Sequence, residues 1–265
     1  MTALFGIVRR ELRVAMTSSV ALVAMGAFWV MSAVTFWLGL SAFEVAQQRA
    51  LATNDPDLIA LLDVNDVLLG GVLLQAQVLL LFVVPVLTMR AFASEDEKGT
   101  ADLLYASPAS TATLVFGKLL SAWVLLLLVC LTLAVYPVLV AVLGRPVTPG
   151  DVVVDAGQMV VGIAGVFLVG ACYAGVGLAA SAATRTASAA ALITTVLLVA
   201  LWFVGGAAPA LDGSAAALLG WLAPASHLER LVHGAVAFAD VVYFLSITVG
   251  TAAMTHRLVH ARRQA

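Results

Sequence analysis

Long apolar stretches alternate with short polar segments along almost the whole chain. Six of these stretches carry few charged residues, and each approaches or exceeds the roughly 20 residues that a helix needs to cross a bilayer core of about 30 Å. The pattern therefore predicts six transmembrane helices joined by short loops. The expected spans cover about residues 17–43, 67–98, 110–144, 156–184, 186–210 and 240–258.

A further apolar stretch, residues 218–238, raises the alternative of a seventh span. This stretch contains His227, Glu229, Arg230 and His233. Ionisable side chains are expensive at the centre of a bilayer and rarely occur there without a functional reason. The six-span arrangement is therefore favoured over the seven-span alternative.

Composition supports the same class of protein. Hydrophobic residues make up 63% of the chain and charged residues 11%, and the mean hydropathy is +1.08, as in polytopic membrane proteins. No linker is long enough to separate domains, so residues 1–265 are expected to form one all-α membrane domain. No polybasic block indicates nucleic acid as a partner, and no residue spacing indicates a metal site.

The distribution of Lys and Arg predicts the orientation, because short cytoplasmic segments retain positive charge. With an even number of spans, both termini lie on one side of the membrane. That side carries most of the basic residues, and the opposite side carries only Arg49, Arg145 and Arg230. Both termini are therefore expected to be cytoplasmic, in an inner (plasma) membrane. The basic residues of the cytoplasmic side are Arg9, Arg10, Arg13, Arg90, Lys98, Lys118, Arg185, Arg257, Arg262 and Arg263.

The first residues of the chain have the pattern of an amphipathic helix. Apolar side chains recur at helical spacing, opposite three arginines. Such a helix is expected to lie along the cytoplasmic membrane interface. The alternative is a basic flank of the first span. The apolar face consists of Leu4, Phe5, Val8, Leu12 and Ala15, and the basic face of Arg9, Arg10 and Arg13.

The segment between the second and third spans, residues 90–108, is compact and of mixed charge. The second span is expected to continue through Lys98 and to end at Gly99, since glycine adopts the left-handed conformation at a helix C-terminus without penalty. An alternative interpretation makes Ser94 and Glu97 a capping box, which moves the helix but leaves it exposed.

A short cytoplasmic helix is predicted directly after this glycine. Thr100 can cap it, and Asp102 adds negative charge at the positive end of its dipole. Leu103 and Leu104 form an apolar knob, and Pro108 stops the helix. The next polar residue, Ser110, can cap the third span. The helix is polar enough to be solvated and apolar enough to dock on a soluble partner.

Glycine and proline interrupt the apolar region between the fifth and sixth spans. Short external helices that dip into the outer leaflet would fit both features, provided that their backbone is buried against protein. An ordinary external loop fits the sequence equally well. The interrupting residues are Gly205, Gly206, Pro209, Gly213 and Pro224.

Two motifs resemble those of a known family. The pattern Arg-x-Phe-Ala-x-Glu, followed by Lys-Gly-Thr-x-Asp-Leu-Leu and Ser-Pro, resembles the coupling region of type-2 ABC exporter membrane subunits, particularly the gliding-motility-type permeases. The closing pattern of that subfamily is similar to Pro224, Ser226, His227 and Gly234 followed by residues 240–246. Together with the six spans, the resemblance covers nearly the whole chain.

The resemblance implies a permease subunit whose cytoplasmic coupling helix sits in a groove of a separate ATPase. Glu95 and Asp102 would pair with basic groups of that ATPase, while Leu103 and Leu104 would fill its groove. The implied coupling residues are Arg90, Glu95, Gly99, Thr100, Asp102, Leu103, Leu104 and Pro108. The implied external, re-entrant gate residues are Trp221, Pro224, His227, Gly234, Asp240 and Tyr243.

This chain is not expected to bind a cofactor itself. A phosphate-binding loop needs glycines followed by Lys and then Ser or Thr, and the nearest match, residues 117–119, lacks the leading glycine and the hydroxyl. ATP and Mg²⁺ are therefore expected on a separate ATPase subunit. Six spans are half of the usual exporter core, so a second copy or a similar permease is expected as a partner. Membrane lipid and an accessory extracytoplasmic subunit are further expected partners.

The cargo and the alternative functions are judged from the ionisable residues. The spans hold few of these, which favours lipidic, amphiphilic or apolar cargo over ions. An intramembrane enzyme would need paired catalytic groups in the spans, and none is evident. Glu229 and His233 share a helical face, but a structural hydrogen-bonded pair is expected there. A membrane anchor or a force-transmitting complex without cargo is the remaining alternative.

Overall fold

The computed structural model describes residues 2–53, 62–100, 110–144, 153–207 and 213–264. These residues form helices joined by short connections and contain no strand. Six of the helices are long and apolar enough to cross a membrane. The helices are α1 (Thr2–Thr17), α2 (Ser19–Thr53), α3 (Val64–Thr88, π-helical over Val64–Leu69), α4 (Ala93–Glu97), α5 (Thr111–Leu143, with a 3-10 turn at Thr132–Ala134), α6 (Ala156–Ala183), α7 (Ala187–Ala207), α8 (Gly213–Leu222), α9 (Pro224–Val232) and α10 (Phe238–Gln264).

The six long helices α2, α3, α5, α6, α7 and α10 confirm the all-α, six-span prediction. The seventh-span alternative is wrong, because residues 218–238 are divided between the two short helices α8 and α9 and a turn. Pro224 begins α9, where its missing N–H leaves no hydrogen bond unmade. Gly234 adopts a φ of +75° two residues after α9 ends, so the chain reverses before α10.

Helix α6 is the centre of the bundle and contacts α3, α5, α7, α9 and α10. Its middle is fully buried, with Val166, Val169 and Cys172 at 0% exposure. Small residues along α6 let its neighbours approach closely, as is common between membrane helices. A Cβ at Gly165 would lie 3.0 Å from side-chain atoms of α9, and Gly177 faces Thr88 at the end of α3.

The contact at Gly177 leads to a stability prediction. In Gly177→Ala the new Cβ would lie 2.9 Å from the Cβ of Thr88, so one of the two helices must shift. Glycine to alanine in a helix normally stabilises by about 0.5–1 kcal/mol, whereas overpacking costs about 1–3 kcal/mol. We expect the free energy of unfolding to fall by about 1–2 kcal/mol in total. The measurement is thermal unfolding of the purified chain in detergent.

Gly250→Ala is the matched control, because Gly250 also lies inside a long helix but has no atom within 4 Å of its Cβ position. We expect this variant to be neutral or slightly stabilised. Equal shifts of the melting temperature in the two variants would show that α3 and α6 do not pack this closely.

Several helix ends differ from the predicted ones. The second span ends at Thr88 instead of Lys98, so the predicted continuous helix over residues 67–98 is wrong. The chain turns at residues 89–92, and the separate helix α4 follows. The first span continues to Thr53, well past the Glu44 that limits its apolar pattern. Helix α10 also extends beyond its predicted end, to Gln264.

The N-terminal segment is a helix and lies against α5. A Cβ at Gly117 would lie 2.8 Å from the Ile7 side chain, so α1 packs directly on the first half of α5. The three arginines of α1 are exposed, as the amphipathic pattern predicts. Phe5 departs from the predicted apolar face, because 70% of its surface is exposed while the other four members are half-buried.

Candidate functional site

Two polar clusters lie at opposite ends of the bundle, and each contains residues singled out from the sequence. The first is the α4 junction, which we define as α4, the turn at residues 89–92 that precedes it and the side chains that bind them. The second is the α9–α10 cluster, which surrounds the connection between those two helices. Both consist of ion pairs and hydrogen bonds between elements distant in sequence.

Ser181 of α6 holds the turn between α3 and α4. Its hydroxyl accepts hydrogen bonds from the backbone N–H groups of Phe92 (3.0 Å) and Ala93 (3.1 Å) and donates one to the carbonyl oxygen of Met89 (3.0 Å). Ser181, Phe92 and Ala93 are each at most 1% exposed. A helix break normally leaves backbone groups unpaired, and this hydroxyl satisfies three of them. It is the physical reason why the second span ends early.

Three consecutive acidic residues of α4 bind three different helices. Glu95 accepts a hydrogen bond from Arg10 of α1 at 2.8 Å, and Asp96 accepts one from Arg262 of α10. Glu97 accepts one from the backbone N–H of Ala187, at the start of α7 (3.3 Å). Consecutive helical residues point about 100° apart, so the acidic run reaches neighbours on three sides.

Glu95, which the resemblance pairs with the ATPase, already has partners within this chain. Besides Arg10, the hydroxyl of Thr100 donates to its second carboxylate oxygen at 2.7 Å. Burial alone would raise the pKa of Glu95, but the Thr100 hydrogen bond and the charges of Arg10 and Lys118 outweigh burial and lower it. The carboxylate is therefore held in its ionised form as a structural link.

Gly99 adopts the predicted left-handed conformation, with φ of +66°, but the helix that it follows is α4 and not the second span. The Thr100 backbone N–H donates to the carbonyl of Glu95 at 2.9 Å, which closes the helix end. The capping-box alternative is wrong, because the hydroxyl of Ser94 donates to the Arg90 carbonyl instead. The predicted coupling residues Asp102, Leu103, Leu104 and Pro108 lie outside the described residues.

Two further features border the α4 junction. Ser110 caps α5 as predicted, since its hydroxyl accepts from the backbone N–H of Thr113 at 3.1 Å. Lys118, one of the few charges within a predicted span, is 3% exposed. Its ammonium donates to Glu11 of α1 at 2.7 Å and lies 5.1 Å from the centre of the Phe92 ring. An isolated lysine in an apolar helix is the sequence signal that could have predicted such a partner.

The α9–α10 cluster is built around the buried carboxylate of Asp240, which is 0% exposed. Its Oδ1 lies 2.6 Å from Nδ1 of His227, and the guanidinium of Arg230 donates to both of its oxygens. The Nε2 of His227 lies 2.7 Å from the carbonyl oxygen of Trp221. Nδ1 of His227 also lies 2.9 Å from the Arg230 guanidinium, so Asp240, His227 and Arg230 contact one another directly.

Aromatic rings complete this cluster. The Tyr243 ring stacks on His227 with centroids 4.0 Å apart, and the Trp221 ring meets Tyr243 edge-on at 5.7 Å. The Tyr243 hydroxyl donates to the carbonyl of Leu222 at 2.5 Å. Four of the six residues that the resemblance assigns to the external region thus touch one another. Pro224 and Gly234 contribute backbone geometry at the two ends of α9.

The connection after α9 is tied to α3 and α6. His233 Nδ1 lies 2.9 Å from a carboxylate oxygen of Asp66, and the amide of Gln158 donates both to Asp66 (2.6 Å) and to the carbonyl of Val232 (3.0 Å). The predicted side-chain pair of Glu229 with His233 is therefore wrong. His233 pairs with Asp66 instead of Glu229, because Asp66 lies on the helix against which α9 packs.

Helix α9 packs beside the length of α6 and not beyond its end. The residues of α6 that face it, Gly162 and Gly165, come six and nine positions after the first residue of α6, Ala156. At 1.5 Å per residue they lie about 9 and 14 Å along that helix. The part of α9 that contacts these glycines therefore lies beside the first turns of α6 and not beyond its end.

The fold and these clusters define a polytopic helical membrane protein with one large polar junction at each end. No group of His, Cys, Asp or Glu in the part of the chain that the structure describes could hold a metal ion. A family model described as "ABC-2 family transporter protein" matches residues 5–257. The chain therefore belongs to the ABC-2 family of transporters, as a membrane permease and not a catalytic subunit. A search of the curated proteins finds no match.

Proposed function

We propose that this permease is the membrane half of an ATP-driven exporter of the gliding-motility type, in an inner membrane with both termini cytoplasmic. Membership of the ABC-2 family implies ABC ATPase subunits as partners. ATP and Mg²⁺ bind to those subunits, and a second copy of this chain or a similar permease completes the core. The cargo is lipidic, amphiphilic or apolar.

The observation that carries the proposal is the set of contacts made by α4. This short helix is bound to α1 through Glu95, to α6 through Ser181, to α7 through Glu97 and to α10 through Asp96. A force applied to α4 therefore reaches four helices of the bundle. Such an element is what a soluble motor needs in order to move a membrane domain.

The segment that receives the force is residues 101–109, directly after Gly99. In this proposal Asp102 pairs with a basic group of the ATPase, and Leu103 and Leu104 fill its groove. Arg90 lies exposed at the start of the turn that leads to α4. Glu95 acts differently from the original expectation, since it transmits force within the chain while Asp102 contacts the partner.

At the opposite end, α8 and α9 act as re-entrant helices that control release of the cargo outward. The position of α9 beside Gly162 and Gly165 supports this role, as does the burial of His227 of α9 together with Asp240 of α10 in a closed cluster. A polar group buried in this way must be fully paired to be tolerated. The cluster therefore holds the re-entrant helices in one defined position.

Leu103→Asp tests the coupling role. A carboxylate placed in an apolar groove costs several kcal/mol unless it is paired. We expect the ATPase that co-purifies with the wild-type chain to lose at least about tenfold in affinity or in permease-stimulated hydrolysis. The measurement is quantitative co-purification and ATPase activity in reconstituted membranes. The melting temperature of the permease alone should not change.

Leu51→Asp is the matched control, because Leu51 is an exposed leucine (56%) near the end of α2, at the end of the bundle opposite to α4. It should leave binding and hydrolysis unchanged. Wild-type ATPase association and activity in Leu103→Asp would refute the coupling assignment. Purification of the wild-type chain without any ATPase would refute the proposal as a whole.

A further inference from the structure

A cavity of about 530 Å³ opens beside the α4 junction, between α1, α3, α4 and α5. Its volume falls within the range of about 300–1,000 Å³ that is common for small-molecule sites. None of the roles proposed above uses it. Its lining divides into a charged end and an apolar end, so its chemistry indicates the class of ligand.

Among the described residues, no acidic side chain neutralises two of the cations at the charged end. Of its four basic residues, Arg10 and Lys118 form ion pairs with glutamates. Arg90 donates only to the neutral hydroxyl of Ser18, at 3.2 Å, and Lys98 pairs with no carboxylate among the described residues. Both side chains belong to exposed residues at the mouth of the cavity. The mouth is therefore suited to an anion.

The apolar end extends into the bundle. Leu125 lines it, seven residues further along α5 than Lys118, which is about 10 Å at 1.5 Å per residue. Ala122 lies between them on the same helix, and Leu87 and Leu178 add aliphatic surface from α3 and α6. A soluble anion such as inorganic phosphate would leave this surface unfilled. A ligand with a hydrocarbon part would cover it.

We infer that this cavity binds an anionic phospholipid of the adjacent leaflet. The phosphate faces Arg90 and Lys98, and the glycerol and the first part of an acyl chain lie along the apolar end. Basic pockets between membrane helices recognise anionic head groups through the same combination of charge and apolar surface. The inference depends on the membrane fold alone and not on the proposed coupling to an ATPase.

The test is native mass spectrometry of the full chain in mild detergent, without an ATPase, after addition of phosphatidylglycerol or phosphatidylcholine. We expect one phosphatidylglycerol to be retained per chain, in preference to phosphatidylcholine. The double variant Arg90→Gln/Lys98→Gln should weaken its retention about tenfold or more, since each basic residue near anionic lipid contributes about 1 kcal/mol. Both positions are exposed, so this variant should fold normally.

Arg9→Gln/Arg13→Gln is the matched control, because it removes two exposed cations from α1 that do not line the cavity. It should retain the lipid. Equal loss in the two double variants would mean general surface attraction, and equal retention of both lipids would mean no head-group selectivity. Either result overturns the inference.

Two further measurements separate a lipid from a free anion. Ala122→Phe should fill the apolar end and displace the lipid while leaving Arg90 and Lys98 in place. Excess inorganic phosphate should not displace phosphatidylglycerol from the wild-type chain. Displacement by phosphate, together with normal lipid retention in a folded Ala122→Phe variant, would assign the cavity to a soluble anion and overturn the lipid assignment.

Discussion

Replacing Asp240 with asparagine is expected to lower the free energy of unfolding by about 3 kcal/mol. The change keeps the size of the side chain but removes the negative charge that pairs with Arg230 and lies against His227. Breaking a buried ion pair by removing one partner commonly costs about 3–5 kcal/mol, because the other charge stays buried without compensation. We expect the lower end of this range, since the side chain of Arg230 is 46% exposed and can reach water.

The matched control is Asp66→Asn, which removes a carboxylate from another pair with a histidine. Asp66 and His233 lie 2.9 Å apart, but their side chains are 44% and 45% exposed. Exposed ion pairs contribute about 0–1 kcal/mol. The measurement is chemical unfolding of both variants in the same detergent. A similar loss of unfolding free energy in both variants would mean that the burial of Asp240 does not determine how much its cluster stabilises the fold.

A second readout locates the effect of the Asp240 substitution. Amide hydrogen exchange should increase in α9 and at the start of α10, which the cluster joins, and should remain unchanged in α4 at the other end of the bundle. Exchange that rises uniformly along the chain would indicate global unfolding instead of local release of α9 and the start of α10.

The number of spans could be predicted from the sequence because lipid makes a simple demand. A backbone in hydrocarbon must pair all its polar groups within the segment, so a spanning helix needs a long stretch with few charges. That demand does not apply outside the lipid, where the predictions failed. Helix α2 continues past Glu44, and the second span ends ten residues early because Ser181, a partner 89 residues from Phe92, satisfies the broken helix.

The α9–α10 cluster shows the same division between local and distant information. The resemblance singled out His227, Asp240 and Tyr243 as separate motif positions, and the φ of +75° at Gly234 allows the chain to bring them together. From the sequence, Arg230 was a basic residue of the non-cytoplasmic side and a charge that made a seventh span expensive. Its pairing with Asp240 depends on the turn between two helices, which the apolar pattern does not encode.

Replacing Ser181 with alanine is expected to lower the free energy of unfolding by about 2–4 kcal/mol. The hydroxyl is the partner of two buried backbone N–H groups, those of Phe92 and Ala93, and also binds the Met89 carbonyl. A buried polar group left without a partner costs about 1–3 kcal/mol. The loss of unfolding free energy in Ser181→Ala should therefore clearly exceed the loss that removal of an ordinary serine hydroxyl causes.

Ser121→Ala is the matched control, since Ser121 is 4% exposed and its hydroxyl donates only to the Lys118 carbonyl of its own helix. That carbonyl already belongs to the helix, so the control should cost less than about 1 kcal/mol. Amide exchange at residues 92 and 93 should accelerate in Ser181→Ala and not in Ser121→Ala. Unchanged exchange would mean that Ser181 does not hold the α3–α4 turn.

Ser181→Ala also separates binding of the ATPase from transmission of its movement. The substitution does not change the proposed docking segment, residues 101–109, so the ATPase should still associate with the permease. The link from α4 to the central helix α6 is weakened, so stimulation of ATP hydrolysis by the permease should fall while co-purification stays at the wild-type level. Loss of both together would place Ser181 in the folding of the docking segment itself. Full stimulation in a variant with the expected loss of stability would show that force reaches the bundle through Arg10 and Arg262 instead.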